Sequence, residues 1–210
     1  MTYICHSLKC IVKKKEKRKG EMIRMNPYEN CPVFEGERFK LRLVEKEDAK
    51  DLLPIYSDEK AVPLFNSDNC HGDDFHYTTL EDMQKAVDFW LYSYENNWFV
   101  RWVIIDKKAN EMIGTIELFN RSAKDYFNNC GLLRLDLKSS YEKEDYIKEI
   151  LGLIVPSTYN LFNCESVVTK GSPLAKERIK ALVGLGFSLS EERLIGEDGT
   201  AYTDYYELKE

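Results

Sequence analysis

The residues best suited to chemistry in this chain are carboxylates inside short apolar segments. Glu117 lies in the segment MIGTIELFN, and Asp136 lies beside Arg134 in LLRLDL. A carboxylate with a raised pKa can remove the proton of an amine, directly or through water, so Glu117 is a candidate general base and Asp136 a second one. Strict alternation places Thr115 and Ile113 on the same side of the strand as Glu117. The alternative is a structural role, in which Arg134 forms a cross-strand ion pair with one of the two acids.

A second set of candidates lies in the polar segment NSDNCHGDDFHYT, residues 66–78. His71 and His76 titrate near neutrality and suit a proton relay, although a solvated loop histidine explains them as well. Trp98 or Phe99 can line a pocket for an acceptor, and core packing is the alternative. The six cysteines form no CxxC pair and no Cys/His cluster at zinc spacing, so no metal site is predicted.

The element that positions Asp136 is a predicted strand, loop and helix spanning residues 132–154. Apolar residues alternate with charged ones at Leu133, Leu135 and Leu137. Ser139 and Glu142 form the S-x-x-E pattern of a capping box, so we expect the helix to start there. Apolar residues follow at helical spacing: Ile147, Ile150, Leu151 and Ile154. A strand that leads into a helix N-terminus is a natural anion site. However, this loop has no glycine and carries three acids, Glu142, Glu144 and Asp145.

The other periodicities predict a mixed α/β fold. Period-two patterns predict strands at 39–43, 99–106, 112–120, 132–137, 166–169, 187–193 and 202–208. Helical patterns predict helices at 45–56, from 79 to about 94 after an N-cap at Thr79, and at 173–185 before Gly186. Residues 107–110 form a hairpin link and Gly196–Gly199 a turn. The order β-α-α-β-β-β-α-β-α-β-β predicts a mixed sheet with helices on both faces.

Composition predicts one domain at residues 25–210. Residues 1–24 carry eight Lys/Arg and two Glu, whereas the rest carries 22 Lys/Arg and 34 Asp/Glu. We expect the basic segment to be a flexible extension, or to precede a true start at Met22 or Met25. The acidic remainder opposes nucleic-acid binding. No apolar run is long enough to span a membrane. Scattered cysteines without a signal peptide predict a cytoplasmic protein.

The element order and three segments together resemble the GNAT acetyltransferase superfamily, in particular the ribosomal-protein alanine acetyltransferases. The segments are FKLRLVEKEDAKDLLPIYSDE, MIGTIELF and IKALVGLGF, and the resemblance covers residues 36–208. It implies a central, mostly antiparallel sheet of about seven strands. It also implies a monomeric or homodimeric enzyme that uses acetyl-CoA, without a metal, to acetylate a primary amine of a small molecule or a protein N-terminus.

The resemblance implies site residues as well. The general base falls on Glu117, and the cofactor would lie along the backbone of Leu135 and Leu137. The pyrophosphate loop of the family, Q/R-x-x-G-x-G/A, falls on residues 142–147, and its cofactor-binding positions are Lys143, Glu144, Asp145, Tyr146 and Ile147. Asp145 and Ile147 replace both small residues of the pattern. Asn, Ser and Tyr, frequent in the family, are replaced by Ala175, Arg178 and Leu182. These departures leave a second hypothesis open: a GNAT-fold binding or regulatory module that no longer uses acetyl-CoA normally.

Overall fold

An eight-stranded sheet forms the centre of residues 26–210, the part of the chain that this computed structural model describes. The predicted basic extension and both alternative starts lie outside these residues. The strands are β1 (Phe34–Glu35), β2 (Phe39–Leu43), β3 (Val100–Asp106), β4 (Glu111–Arg121), β5 (Cys130–Leu137), β6 (Ser166–Lys170), β7 (Ser188–Leu189), β8 (Leu194–Ile195), β9 (Ala201–Tyr202) and β10 (Tyr205–Lys209). The sheet order is β1-β2-β3-β4-β5-β6-β10-β7, and only β5 and β6 pair in parallel. The predicted mixed, mostly antiparallel sheet is therefore confirmed.

The sheet differs from the predicted one at its ends. The two-residue strands β1 and β8 were not predicted, and only Ser188–Leu189 of the predicted strand at 187–193 forms a strand. The predicted strand at 202–208 is divided between β9 and β10. Strand β8 pairs with β9 in a separate hairpin, which the predicted Gly196–Gly199 turn closes through a 2.9 Å backbone hydrogen bond. These strands are too short for period-two patterning to reveal them.

Four helices cover the two faces of the sheet. They are α1 (Ala49–Tyr56), α2 (Leu80–Glu95), α3 (Glu144–Phe162) and α4 (Lys176–Gly184). Helices α1 and α2 enclose one apolar cluster, and α3 and α4 pack into another on the opposite side. The Thr79 hydroxyl caps α2 by accepting from the Asp82 N–H at 3.2 Å, as predicted. Gly186, at φ 93°, follows the end of α4 as predicted.

A β-bulge in β4 changes which residues share a face. Ile104 of β3 pairs with Gly114, and the next residue, Ile105, pairs with Met112. Ile113 therefore has no partner on β3 and is the extra residue of the bulge. Ile113 therefore packs in the cluster under α3, whereas Thr115 contacts Tyr56 of α1 on the opposite face. The prediction that Ile113 shares a side with Thr115 was wrong, because alternation alone does not reveal a bulge.

The predicted capping box before α3 was also wrong. Ser139–Tyr141 forms a 3₁₀ turn, and α3 begins at Glu144 after Lys143, which makes no side-chain cap. The Ser139 N–H is bound by the Asp58 carboxylate at 3.0 Å, and the Glu142 carboxylate is held by Arg178. Both halves of the predicted box are therefore engaged by distant partners.

Candidate active site

The strands β5 and β6 separate halfway along β5. Their pairing runs from Cys130 opposite Ser166 to Leu133 opposite Thr169 and then stops. The Lys138 N–H donates to the Ile113 carbonyl on β4 at 2.8 Å. Since backbone N–H groups alternate sides along a strand, those of Leu135 and Leu137 point toward the open side. We call this opening the β5–β6 gap. It lies at the C-terminal ends of parallel strands, where α/β proteins commonly bind ligands.

A buried ion network lies on the α1–α2 face beside the β5–β6 gap. Its charged members are Arg101, Glu117, Arg134 and Asp136. Glu117 accepts from both guanidiniums, from Arg134 Nη1 at 2.6 Å and from Arg101 Nη2. Burial alone would raise the pKa of Glu117, but the two guanidiniums outweigh it and lower the pKa below the ordinary 4.5. The structure thus places Glu117 as the centre of an ion pair, with a pKa opposite in direction to that of an ideal base.

The pKa of Asp136 is shifted in the opposite direction to that of Glu117. Asp136 Oδ2 accepts from the Tyr56 hydroxyl at 2.9 Å and from Arg101 Nη1 at 3.1 Å. Its Oδ1 is buried and has no hydrogen-bond partner within residues 26–210. Burial is the largest influence on Asp136 and raises its pKa, although Arg101 offsets part of that effect. A buried carboxyl with a raised pKa and a free oxygen, next to the β5–β6 gap, is suited to accept a proton.

A cavity of about 770 Å³ lies above this network, and we call it the α2 cavity. Its base contains Arg101, Glu117 and Arg134. Its walls carry aromatic rings (Phe75, Tyr77, Phe89, Trp90, Trp98, Phe99 and Phe119), three acids (Asp73, Asp82 and Glu197) and one cation, Lys85, which pairs with Asp82. His71 and His76 also line it and are exposed. Aromatic faces and carboxylates both attract cations, and Arg101 and Arg134 at the base are paired with Glu117, so the walls of the α2 cavity suit a cationic amine.

Asp68 fixes one wall of the α2 cavity to the sheet. Its carboxylate accepts from Lys170 Nζ at 2.6 and 2.7 Å and from the Tyr205 hydroxyl at 3.0 Å. Its carbonyl accepts from Arg134 Nη2 at 2.9 Å. These bonds hold residues 66–78 over the network although that segment contains no helix or strand.

The network includes residues that sequence analysis did not select. Tyr56 and Arg101 were not predicted as site residues, yet Tyr56 is completely buried and bonded to Asp136. Arg101 had one signal, since it is a charge inside the apolar run FVRWVII. Tyr56 had none, because its partner lies 80 residues away.

The residues of the β5–β6 gap fit an acetyl-CoA molecule at one end only. The free backbone edge at Leu135 and Leu137 suits the amides of a pantetheine arm. The start of α3 does not fit a diphosphate, because Glu144 and Asp145 lie in its first turn and Glu142 precedes them. Lys143 is exposed, and it is the only cation within the predicted loop, residues 142–147. Tyr146 packs against Phe39, and Ile147 is buried in the apolar cluster into which α3 and α4 pack.

Among residues 26–210, no three His, Cys, Asp or Glu side chains are grouped so as to hold a metal ion. None of the helices described is long and apolar enough to cross a membrane.

Comparison with known proteins gives one family and a set of similar folds. The family described as "Acetyltransferase (GNAT) domain" matches residues 38–188. A search of curated proteins finds no significant match. Among solved structures, ribosomal-protein-S5-alanine acetyltransferase from Vibrio fischeri is 18% identical, with a TM-score of 0.63 over 85% of this chain and 96% of that one.

Two other solved structures are similar to a comparable degree. An acetyltransferase from Salmonella typhimurium that modifies the N-terminal serine of ribosomal protein L7/L12 is 15% identical, with a TM-score of 0.62 over 85% of this chain and 99% of that one. An L7/L12 α-N-protein acetyltransferase solved with coenzyme A is 14% identical, with a TM-score of 0.62 over 85% and 98% of the two chains. At such identities the likeness shows the fold alone.

Proposed function

Because this chain belongs to the GNAT acetyltransferase family, we propose that it is an acetyl-CoA-dependent N-acetyltransferase for a cationic primary amine. The observation that carries the proposal is the α2 cavity, whose walls are aromatic and acidic and whose base is the buried ion network. The acceptor is a small molecule or a peptide terminus that presents its amine toward that base.

The residues of this chain would bind the amine and remove its proton. The cavity acids and aromatic rings hold the ammonium group. Asp136 does not line the cavity but bonds Arg101 at its base, and it receives the proton at Oδ1 through a water molecule. Arg101 bonds both Asp136 and Glu117, so Glu117 acts as a positioning residue through Arg101. Acetyl-CoA, when bound, supplies the activated acetyl group. The role of Glu117 as the base stays a prediction, to which its lowered pKa is unfavourable.

A second candidate function is a GNAT-fold binding or regulatory module that does not turn over acetyl-CoA. The observation that favours it is the acidic start of α3, where the family places its diphosphate. Both functions share the α2 cavity, so binding of an amine alone does not distinguish them.

Release of free coenzyme A thiol distinguishes the two functions. The full chain would be mixed with acetyl-CoA and one of three amines: a diamine, a neutral monoamine of equal length and a short peptide with a free N-terminus. The proposal expects thiol release that depends on the amine and is faster with the diamine than with the neutral amine. Thiol release at the background rate with every amine would reject the enzymatic function and leave the binding module.

A further inference from the structure

The ion pair between Glu142 and Arg178 spans the β5–β6 gap. Glu142 lies between the C-terminal end of β5 and the start of α3, and Arg178 lies in the first turn of α4, which follows β6. Arg178 donates to Glu142 through both Nη2 and Nε, the latter at 3.4 Å. Their side chains are only 3% and 8% exposed. The two chain segments that leave these parallel strands are thus joined across the β5–β6 gap.

Arg178 is also bound to a third segment. Its Nη1 donates to the Leu64 carbonyl at 2.9 Å, in the connection between α1 and α2. The positive charge of Arg178 also acts on the buried Asp136 carboxyl and lowers its pKa, against the larger effect of burial. The guanidinium therefore bridges the β5–β6 gap and acts electrostatically on the proposed proton acceptor.

We propose that Glu142 is a built-in competitor for the anionic cofactor: it occupies Arg178, and a phosphate-bearing ligand binds by taking that guanidinium from it. The proposal rests on the proposed function for the identity of the cofactor. A guanidinium binds carboxylates and phosphates with the same two-pronged geometry, so one can replace the other. The exchange explains why the start of α3 lacks glycine. Arg178 would supply the phosphate contact that the backbone of the glycine-containing loop supplies in the family pattern.

The competitor role differs from a general effect of negative charge. Glu144 lies two residues after Glu142, but its carboxylate pairs with Lys148 of the same helix and does not touch Arg178. Glu142→Gln and Glu144→Gln therefore remove the same charge from the same region, and only the first frees Arg178. This makes Glu144→Gln the matched control.

Isothermal titration with coenzyme A tests the proposal without any need for turnover. We expect Glu142→Gln to lower the Kd for coenzyme A by tenfold or more, and Glu144→Gln to lower it by no more than about twofold, as a surface charge effect. Equal changes in the two variants, or an unchanged Kd in Glu142→Gln, would overturn the proposal. Circular dichroism of each variant establishes that it is folded.

A double variant separates competition from simple obstruction. The variant that combines Glu142→Gln with Arg178→Gln removes both charges. Because neither charge is left buried without a partner, this variant is less destabilised than a single variant. If Arg178 is the contact that coenzyme A takes, the double variant loses the tenfold gain of Glu142→Gln. If the double variant binds as tightly as Glu142→Gln, Glu142 only fills space and the proposal fails.

The failure of this proposal and that of the proposed function remain distinguishable. Tighter coenzyme A binding by Glu142→Gln without any acetyl transfer would support the competitor and reject the enzyme. Acetyl transfer by the wild-type chain, together with an unchanged Kd in Glu142→Gln, would support the enzyme and reject the competitor.

Discussion

Glu117 on β4 and Arg134 on β5 lie directly opposite each other, with Nη1 of Arg134 2.6 Å from Oε1 of Glu117. The sequence predicted an ion pair between Arg134 and either Glu117 or Asp136; the partner is Glu117, and Arg101 bonds the other oxygen of the same carboxylate. The Glu117 carboxylate therefore pairs with two buried guanidiniums, of which only Arg101 has a second carboxylate partner, Asp136, and the stability of the sheet centre depends on Glu117.

Glu117→Gln should strongly destabilise the fold. The variant leaves Arg134 with no carboxylate partner and weakens the compensation of Arg101, and removing one partner of a buried ion pair costs about 3–5 kcal/mol. The free energy of unfolding from urea titration at neutral pH measures the loss. Glu35→Gln is the control, since Glu35 and Lys107 form an exposed pair worth roughly 0–1 kcal/mol. A loss in Glu117→Gln as small as that in the control would contradict the network.

Asp136→Asn should change the pH dependence of stability in a defined direction. Burial raises the folded-state pKa of Asp136 above 3.8. A group with a raised folded-state pKa contributes stability that is complete below its unfolded pKa and is lost as pH rises through the folded one. Asparagine cannot ionise, so wild type should lose stability relative to Asp136→Asn as pH rises from below 3.8 to neutrality. Urea titrations of both proteins across that range measure the difference.

The control for this pH dependence is Asp82→Asn. The Thr79 hydroxyl hydrogen bond is the largest influence on Asp82 and lowers its pKa. Its contribution is therefore present above pH 3.8 and lost as pH falls, so the difference between wild type and Asp82→Asn should slope the opposite way. Equal slopes in the two variants, or no slope for Asp136→Asn, would show that burial does not govern Asp136.

The sequence was sufficient for the parts of the fold that depend on neighbouring residues. Period-two and helical patterns predicted most strands and all four helices, and adjacent strands predicted an ion pair of Arg134 with one of two acids. The bulge at Ile113 and the start of α3 were mispredicted because distant partners decide them. The Ser139 N–H, for example, is bound by Asp58, 81 residues away.

The site was less predictable than the fold for the same reason. Tyr56, Arg101 and Asp136 come from three separate segments, and the contacts between them exist only after the sheet has formed. The Glu142–Arg178 pair joins residues 36 apart across the β5–β6 gap. Local sequence showed only that both positions depart from the family pattern.

Trp98→Ala should weaken binding of the amine without changing the chemical step. Trp98 lines the α2 cavity and is 53% exposed. A cation over an aromatic face is worth about 0.5–2 kcal/mol, so the KM for a cationic amine should rise roughly 2- to 30-fold with kcat unchanged. Steady-state kinetics measure both values. Tyr126→Ala removes an equally exposed ring outside the cavity and should leave KM unchanged. A fall in kcat with constant KM would contradict a binding role.

Gly114→Ala should destabilise the pairing of β4 and β5. A Cβ at Gly114 would lie 2.1 Å from the Asp136 carbonyl oxygen, so the backbone beside the site must shift. Overpacking of this kind costs about 1–3 kcal/mol, measured as a lower free energy of unfolding in urea. Gly152→Ala is the matched control, because its Cβ meets nothing within 4 Å and alanine favours a helix by about 0.5–1 kcal/mol. Equal stabilities of the two variants would contradict the close approach.

We propose that this chain transfers an acetyl group to an amine held above the buried network. The most direct measurement is mass spectrometry of a diamine after incubation with isotopically labelled acetyl-CoA and the wild-type, Glu142→Gln or Asp136→Asn protein. We expect labelled N-acetyl product with wild type and with Glu142→Gln. We expect a rate lower by roughly 10²–10⁴-fold in Asp136→Asn, the usual contribution of a general base. The absence of labelled product from both wild type and Glu142→Gln would contradict acetyl transfer by this chain.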